Sequence, residues 1–210
     1  MKTAMILGSD GGIGAALVDQ AKNESMYTIS ASRSDTVASP NSDLFLTGDF
    51  SVPDDLKSMV IHASQEVEAI NLWVYAAGDI FSGKAGEIEP GDWRRVFDAN
   101  LNGAHYALQA FLPLMAEDAH IFFISGYIDR LILPGLSAYA ASKAALEVYS
   151  SIVQKEQRKK KVALVRLPAV DTKFWEKVPF STPKGALSPD EVSERIFSAY
   201  SQELVGLLDM

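Results

Sequence analysis

Short apolar runs alternate with longer amphipathic stretches along this chain of 210 residues. The apolar runs predict buried strands at 3–8, 27–32, 43–49, 70–78, 119–126, 161–168 and 204–209. The stretches between them predict helices at 12–22, 53–68, 93–115 and 138–158, and a last helix that opens at Pro189. Ser188 is the expected N-cap of that last helix, since a serine oxygen can accept a hydrogen bond from a first-turn N–H group.

This alternation of strands and helices predicts the fold class. Strands that are apolar throughout are buried on both faces, which is typical of a parallel sheet covered by helices. Right-handed crossovers then give an α/β, single-domain Rossmann-type doubly wound parallel sheet with helices on both faces. No linker or internal repeat divides residues 1–210. Residues 172–188 are polar and rich in Pro and Gly, which predicts a substrate loop or lid.

Composition narrows the possible functions. The formal net charge of −8 argues against nucleic acid as a partner. The chain has no cysteine, so it forms neither disulfides nor thiolate metal sites, and its three histidines lie too far apart for a metal-ligand pattern. No apolar stretch approaches the roughly 18 residues of a membrane span, and no signal peptide is recognisable. We therefore predict a cytoplasmic protein with no metal and no membrane partner.

A glycine-rich turn follows the first predicted strand. Gly8, Gly12 and Gly14 lie between this strand and the first helix, where glycine lets backbone N–H groups approach a phosphate. This strand–turn–helix context favours dinucleotide binding over a simple turn. Asp10 places a carboxylate inside the turn, where it either points to solvent or caps the helix.

Tyr139 and Lys143 are four residues apart in a predicted helix, so they share one helix face. In one interpretation the tyrosine packs and the lysine is solvated. In the other, the ammonium charge makes the phenol usable as a proton donor and acceptor near neutral pH. Asn100 lies on the otherwise apolar stripe of the preceding helix and needs a hydrogen-bonding partner there, either the backbone or a functional group.

Six segments in order resemble the motifs of the short-chain dehydrogenase/reductase family. They are Gly8-x-x-x-Gly12-Ile13-Gly14, "GDF" at 48–50, "YAAG" at 75–78, "NLNG" at 100–103, "YAASK" at 139–143 and "LPAVDT" at 167–172. The similarity runs from about residue 3 to residue 175, and the complete ordered set is far more specific than any one motif.

The resemblance implies an NAD(P)-dependent oxidoreductase (EC 1.1.1.-) that reduces a carbonyl or oxidises the corresponding alcohol. Its catalytic residues would be Tyr139, Lys143, Asn100 and Ser125. The tyrosine would protonate the carbonyl oxygen as hydride arrives, the lysine would hold the nicotinamide ribose, and the asparagine would join a water relay. The implied cofactor-binding residues are Gly8, Ser9, Gly12, Ile13, Gly14, Ser32, Arg33, Asp49, Ala76, Ala77, Gly78, Tyr139, Lys143, Pro168, Val170 and Thr172.

The end of the second strand bears on the choice of cofactor. Family members that select NAD usually carry an acidic residue there, whereas this chain has Ser32 followed by Arg33. A guanidinium suits a 2′-phosphate, so we predict NADP(H) in preference to NAD(H). The alternative is an exposed, solvated arginine.

Several positions depart from the family pattern. The catalytic serine is expected thirteen residues before the tyrosine, and that position is Gly126. Either Ser125 or the Tyr127 hydroxyl replaces it, or the position provides no donor. Leu7, Tyr75 and Ala76 also replace residues that brace the cofactor loop and the sheet in the family. The alternative function is therefore a catalytically weak or inactive dinucleotide-binding sensor or interaction protein.

The expected partners are a small-molecule carbonyl or alcohol substrate and a second copy of the chain. Apolar residues in the segments that would wall the pocket suggest an apolar substrate. In the family, the helices spanning 92–115 and 138–158 pair across a two-fold axis, so the resemblance predicts a homodimer, with a tetramer possible.

Overall fold

A computed structural model describes residues 1–35 and 40–210. Its strands are β1 (Thr3–Leu7), β2 (Tyr27–Ser32), β3 (Leu44–Thr47), β4 (Ile70–Tyr75), β5 (Met115–Gly126), β6 (Lys161–Leu167) and β7 (Gly206–Asp209). Its α-helices are α1 (Gly12–Asn23), α2 (Pro53–Glu66), α3 (Pro90–Phe97), α4 (Gly103–Phe111), α5 (Ile128–Leu131), α6 (Ser137–Glu156) and α7 (Pro189–Ser201). Each predicted strand and helix has a counterpart in the structure, although the helix predicted over 93–115 is divided, and the short helix α5 was not predicted.

The described strands form one parallel sheet in the order β3-β2-β1-β4-β5-β6-β7. Strands β2 and β3 are added on one side of β1, and β4 to β7 are added on the other side. The order of the strands therefore reverses between β1 and β4. In open α/β sheets, ligands bind in the crevice that this reversal leaves at the carboxyl ends of the strands. The doubly wound sheet predicted from the sequence is confirmed, and its crevice is where the predicted site residues should meet.

Two apolar layers enclose the sheet. One face of the strands, represented by Met5 and Phe123, packs against α2, α4 and α6. The opposite face, represented by Ile6 and Phe122, packs against α1 and α7. Because neighbouring strand residues point to opposite faces, burial of both faces explains why the strands read as unbroken apolar runs.

The helix predicted over 93–115 is divided into shorter elements. Helix α3 passes into a π-helical turn (Asp98–Asn102), then into α4 and a 3₁₀ turn (Leu112–Leu114) that contains a proline. A π turn inserts one residue into the helix without interrupting its direction, so the apolar spacing still appeared helical. Strand β5 then begins at Met115, four residues earlier than predicted, with an irregular register against β4. No helix in the described part of the chain is long and apolar enough to span a bilayer.

Candidate active site

A cavity of about 1060 Å³ opens at the carboxyl ends of the strands. Its walls come from the glycine turn after β1, the ends of β4, β5 and β6, the start of α6, and residues of segment 172–186. The predicted site residues border this cavity except for Ser9, Ser32 and Asn100. Residues separated by more than 130 positions along the chain therefore meet in one crevice, as the fold requires.

The glycine turn is shaped by close approaches that exclude side chains. Gly8 adopts φ +88°, and a Cβ there would lie 2.4 Å from the backbone nitrogen of Ala77. A Cβ on Gly14 would lie 2.1 Å from the Gly8 carbonyl oxygen. These two glycines therefore let α1 start directly against the ends of β1 and β4.

Helix α1 presents an uncapped N-terminus to the cavity. Its N-cap is Gly11, no side chain caps the helix, and the first turn carries no acidic residue. Asp10 is exposed and does not cap the helix, which leaves the first of the two alternatives for this residue. The N–H groups and the positive end of the helix dipole suit an anion, so the turn fits the pyrophosphate of a dinucleotide.

Tyr139 and Lys143 lie one turn apart near the start of α6, and both border the cavity. The Lys143 ammonium is buried, donates a hydrogen bond to the Ile124 carbonyl at 2.9 Å, and lies 5.8 Å from the centroid of the Tyr139 ring. Burial lowers the pKa of Lys143 to about 8 and raises the pKa of the Tyr139 phenol. In this state the tyrosine is a neutral hydroxyl, which is the form that donates a proton.

Asn100 lies at the centre of the π turn and is fully buried. Its Oδ1 accepts a hydrogen bond from the Asp79 N–H at 2.9 Å, and its Nδ2 donates to the Asp79 carbonyl and to Ser142 Oγ, each at 2.8 Å. Ser142 Oγ in turn donates to the Tyr139 carbonyl at 2.8 Å. The amide therefore connects the loop after β4 to the turn of α6 that carries Tyr139.

Tyr75 provides a brace that sequence reasoning missed. The family usually has an asparagine here, whereas the Tyr75 hydroxyl donates to the Ala99 carbonyl at 2.8 Å. Its ring is fully buried and stacks on Trp73 at 6.0 Å. The bond holds the π turn against the end of β4, which stabilises the position of the neighbouring Asn100.

The end of β2 contributes Arg33 to the cavity wall. Arg33 is exposed, whereas Ser32 is fully buried and its hydroxyl donates to the Ser34 carbonyl at 2.6 Å. Asp49, after β3, also borders the cavity and accepts hydrogen bonds from the N–H and hydroxyl of Ser51. Of the two side chains predicted to favour a 2′-phosphate, only the guanidinium reaches the cavity.

At the end of β5, the position thirteen residues before Tyr139 is occupied by Gly126. Gly126 borders the cavity, and a Cβ there would lie 3.4 Å from Leu131 Cδ1 and 3.6 Å from the Leu167 carbonyl oxygen. The Ser125 hydroxyl is buried and has no hydrogen-bond partner among the described residues. The Tyr127 hydroxyl donates to the Met210 carbonyl at 2.8 Å. Ser125 therefore borders the cavity with a hydroxyl that is unpartnered within the described part of the chain, whereas the Tyr127 hydroxyl is bonded to the backbone of Met210.

Segment 172–188 covers the cavity and begins beside the glycine turn. A Cβ on Gly12 would lie 2.7 Å from Thr172 Cγ2. The Phe174 ring lies 5.6 Å from the Tyr139 ring, and Trp175 Nε1 donates to the Val170 carbonyl at 2.8 Å. Asp79 borders the cavity and pairs with Arg95 and Lys177, and sequence reasoning identified neither ion pair. Ion pairs across such long separations leave no local sequence pattern.

Comparisons with known proteins agree with this geometry. The family model of the short chain dehydrogenases matches residues 2–180. An uncharacterized oxidoreductase of Staphylococcus aureus (strain USA300) is 25% identical over 212 residues, which covers 96% of this chain and 91% of that protein.

Solved structures of similar proteins share the whole architecture. Aldohexose dehydrogenase of Thermoplasma acidophilum, in its ligand-free form, has a TM-score of 0.87 at 23% identity and covers 100% of this chain and 92% of its own. A Shigella flexneri protein described as a short chain dehydrogenase, complexed with NADP, has a TM-score of 0.87 at 17% identity, with 99% and 96% covered. The family match over residues 2–180 and this shared fold establish that the chain belongs to the short-chain dehydrogenase family of oxidoreductases.

Proposed function

We propose that this protein is an NADP(H)-dependent reductase of small carbonyl compounds, or a dehydrogenase of the corresponding alcohols. The observation that carries the proposal is the arrangement of Tyr139 and Lys143 on one face of α6, at the wall of the cavity that the glycine turn opens. Perturbed acid–base pairs in a cofactor cleft usually serve chemistry, and a solvated surface pair would not bury its lysine.

The chemistry of the residues follows from their placement. The bound nicotinamide supplies or accepts the hydride. Tyr139, neutral because it is buried, donates its proton to the carbonyl oxygen of the substrate. Lys143 carries an ammonium beside the ring, which stabilises the phenolate left by proton transfer. Asn100 holds the Asp79 backbone and the Ser142 hydroxyl, and so fixes the loop beside the reacting groups.

Cofactor binding is assigned to the glycine turn and to the adjoining loops. The glycine turn and the N-terminus of α1 would take the pyrophosphate, Asp49 would lie near the adenine, and Ala76 to Gly78 would let the cofactor approach β4 closely. Arg33 would contact the 2′-phosphate. The Shigella relative is complexed with NADP, but at 17% identity that likeness extends only to the fold, so the preference for NADP rests on Arg33.

The cavity wall supports an apolar substrate. Apolar side chains near Tyr139 include Leu131, Leu136, Phe174 and Trp175, all of which border the cavity. A hydrophobic ketone or aldehyde would bury its apolar groups against them, while its carbonyl oxygen met the phenol. Segment 172–188, which covers these residues, is the proposed lid.

A homodimer is the proposed assembly. Tyr106 on α4 and Val148 and Ile152 on α6 expose much of their apolar surface. Pairing of these two helices across a two-fold axis would cover all three side chains. Light scattering at micromolar protein should give twice the chain mass of 22.8 kDa, and a monomeric mass would contradict the assignment.

One observation favours the second candidate, a dinucleotide-binding sensor with weak catalysis. Gly126 provides no hydroxyl at the expected serine position, and the Tyr127 hydroxyl is engaged with the Met210 carbonyl, which leaves the buried Ser125 hydroxyl at the cavity wall as the neighbouring candidate. The two functions differ in turnover and share cofactor binding.

The test is a fluorescence titration with NADPH and NADH, followed by NADPH oxidation against a panel of ketones and aldehydes. Tyr139→Phe keeps the ring and removes the hydroxyl, so we expect turnover to fall by at least ~10²-fold. Tyr127→Phe, which removes a hydroxyl from the same wall, is the matched control and should retain activity. Tight NADPH binding without turnover on any carbonyl would support the sensor.

A further inference from the structure

Asp79 carries a buried carboxylate at the wall of the proposed substrate pocket. Its side chain is 4% exposed, and its Oδ1 accepts hydrogen bonds from the Ile80 N–H at 2.9 Å and from Lys177 Nζ at 2.8 Å. Its Oδ2 pairs with the Arg95 guanidinium. Burial alone would raise the pKa of this carboxyl, but Lys177, the Ile80 N–H and Arg95 together hold it below the usual value. The carboxylate is therefore charged and fully partnered.

The backbone of Asp79 is fixed from the opposite side. The Asn100 side chain bonds both its N–H and its carbonyl, so the residue cannot shift without breaking the two bonds. Asn100 is also bonded to Ser142, which is bonded to the Tyr139 carbonyl. The charge that faces Lys177 is thus held in a fixed position relative to the proposed acid–base residues.

Lys177 lies at the end of the 3₁₀ turn Lys173–Lys177, inside the proposed lid. The same turn brings Phe174 against Tyr139. Directly after it, Val178 joins a small buried cluster with Ile80 and Leu136. One ion pair and one apolar cluster therefore attach this part of the lid to the loop after β4.

The two cations that pair with Asp79 differ in how freely they can move away from it. Arg95 belongs to α3 and also pairs with Asp92 one turn away, so it remains beside Asp79 whatever the lid does. Lys177 belongs to a loop, and its side chain is 49% exposed. A buried carboxylate that lost both partners would be strongly disfavoured. Because Arg95 stays, Lys177 can leave and return at moderate cost.

We infer that Asp79 is a positioning residue whose pairing with Lys177 latches the lid over Tyr139. Arg95 is the permanent partner of the carboxylate and Lys177 is the exchangeable one. The catalytic meaning of the latch rests on the proposed function, because closing the lid would exclude water from the phenol and cover an apolar substrate. The latch itself exists whether or not the protein turns over a carbonyl.

Amide hydrogen exchange of residues 172–182 tests the latch without any turnover. Lys177→Met removes the charge and keeps an unbranched side chain. We expect amide exchange in the lid to become about fivefold faster, because a half-exposed ion pair contributes only modestly to stability. Lys177→Arg should restore the wild-type rate. Lys173→Met is the matched control, since Lys173 lies on the same turn and forms no ion pair with any residue that the structure describes.

The dependence of lid exchange on ionic strength provides a second test of the latch. Raising salt from about 0.05 M to 1 M should accelerate lid exchange in the wild type, because salt screens a half-exposed pair, and should leave Lys177→Met unchanged. Equal exchange rates in wild type and Lys177→Met at both salt concentrations would overturn the latch.

Steady-state kinetics then connect the latch to catalysis. With a carbonyl substrate, Lys177→Met should raise KM about fivefold and change kcat little, and high salt should produce the same rise in the wild type. If no carbonyl is reduced by the wild type, the proposed function fails, while hydrogen exchange still decides the latch. If KM is unchanged although exchange is faster, the residue holds the lid but does not position it for this reaction, which would refute the positioning role.

Discussion

Gly126 provides the sharpest test of the proposed function. The family resemblance expects a serine at this position, thirteen residues before Tyr139, with its hydroxyl donating to the substrate oxygen. The backbone at Gly126 is not in the left-handed region, and a Cβ would make only ordinary contacts, at 3.4 Å to Leu131 Cδ1 and 3.6 Å to the Leu167 carbonyl oxygen. Gly126→Ser should therefore fold without strain and restore a hydroxyl to the cavity wall.

The expected gain follows from these contacts. One hydrogen-bond donor at a developing oxyanion changes kcat by roughly 10² to 10³. The Leu167 carbonyl lies close enough to compete for the new hydroxyl, which lowers the expected gain. We therefore expect at least a tenfold rise in kcat/KM, equivalent to about 1.4 kcal/mol of transition-state stabilisation.

The assay is NADPH oxidation at saturating cofactor, with thermal unfolding measured in parallel. Gly126→Ala is the matched control, because it adds the same Cβ without the hydroxyl. A Gly126→Ser enzyme that is no faster than Gly126→Ala would show that this position does not face the reacting oxygen, and the placement of the substrate against Tyr139 would then be wrong.

Two further predictions concern the cofactor and stability. Arg33→Ala should weaken NADPH binding at least tenfold more than NADH binding, as measured by fluorescence titration; equal losses would remove the proposed 2′-phosphate contact. The pKa of His120 is lowered by burial from 6.5 to about 4, so as pH falls the unfolded chain takes up this proton first, and stability present above pH 6.5 is lost towards pH 4. The loss should reach roughly 3 kcal/mol in denaturant unfolding, and His120→Phe should reduce it, whereas the exposed His62→Gln should not. An unchanged pH slope in His120→Phe would count against a neutral, buried imidazole.

The sheet and its crevice could be predicted because strands that are buried on both faces appear in the sequence as unbroken apolar runs. Strand β2 was predicted with the bounds that the structure gives, and Ser188 was predicted as the N-cap of α7, where the structure shows a capping box with Glu191. The glycine turn was predictable for a similar reason, since Gly8 and Gly14 occupy positions where a Cβ would collide with backbone.

The fine geometry of the site was less predictable. The π turn around Asn100 inserts one residue into a helix, but the spacing of the apolar residues stays nearly helical. That spacing therefore does not reveal the π turn. The Tyr75 brace depends on the distance between β4 and that turn. The Asp79–Lys177 pair joins residues 98 positions apart, and only the folded chain shows that they meet.

These unpredicted contacts together hold the backbone around Tyr139 in position. Ser142 and Asn100 tie α6 to the loop after β4, Tyr75 ties the π turn to β4, and Asp79 ties the lid to that same loop. Tyr139 itself has no hydrogen-bonded side-chain partner on its hydroxyl among the described residues, so its position is determined by the backbone around it. Under the proposed function, this arrangement would leave the hydroxyl of Tyr139 free to donate its proton to the substrate, while neighbouring residues hold the backbone that carries it. Substitutions at those neighbours should therefore alter the geometry of proton transfer while leaving the chemistry of the phenol unchanged.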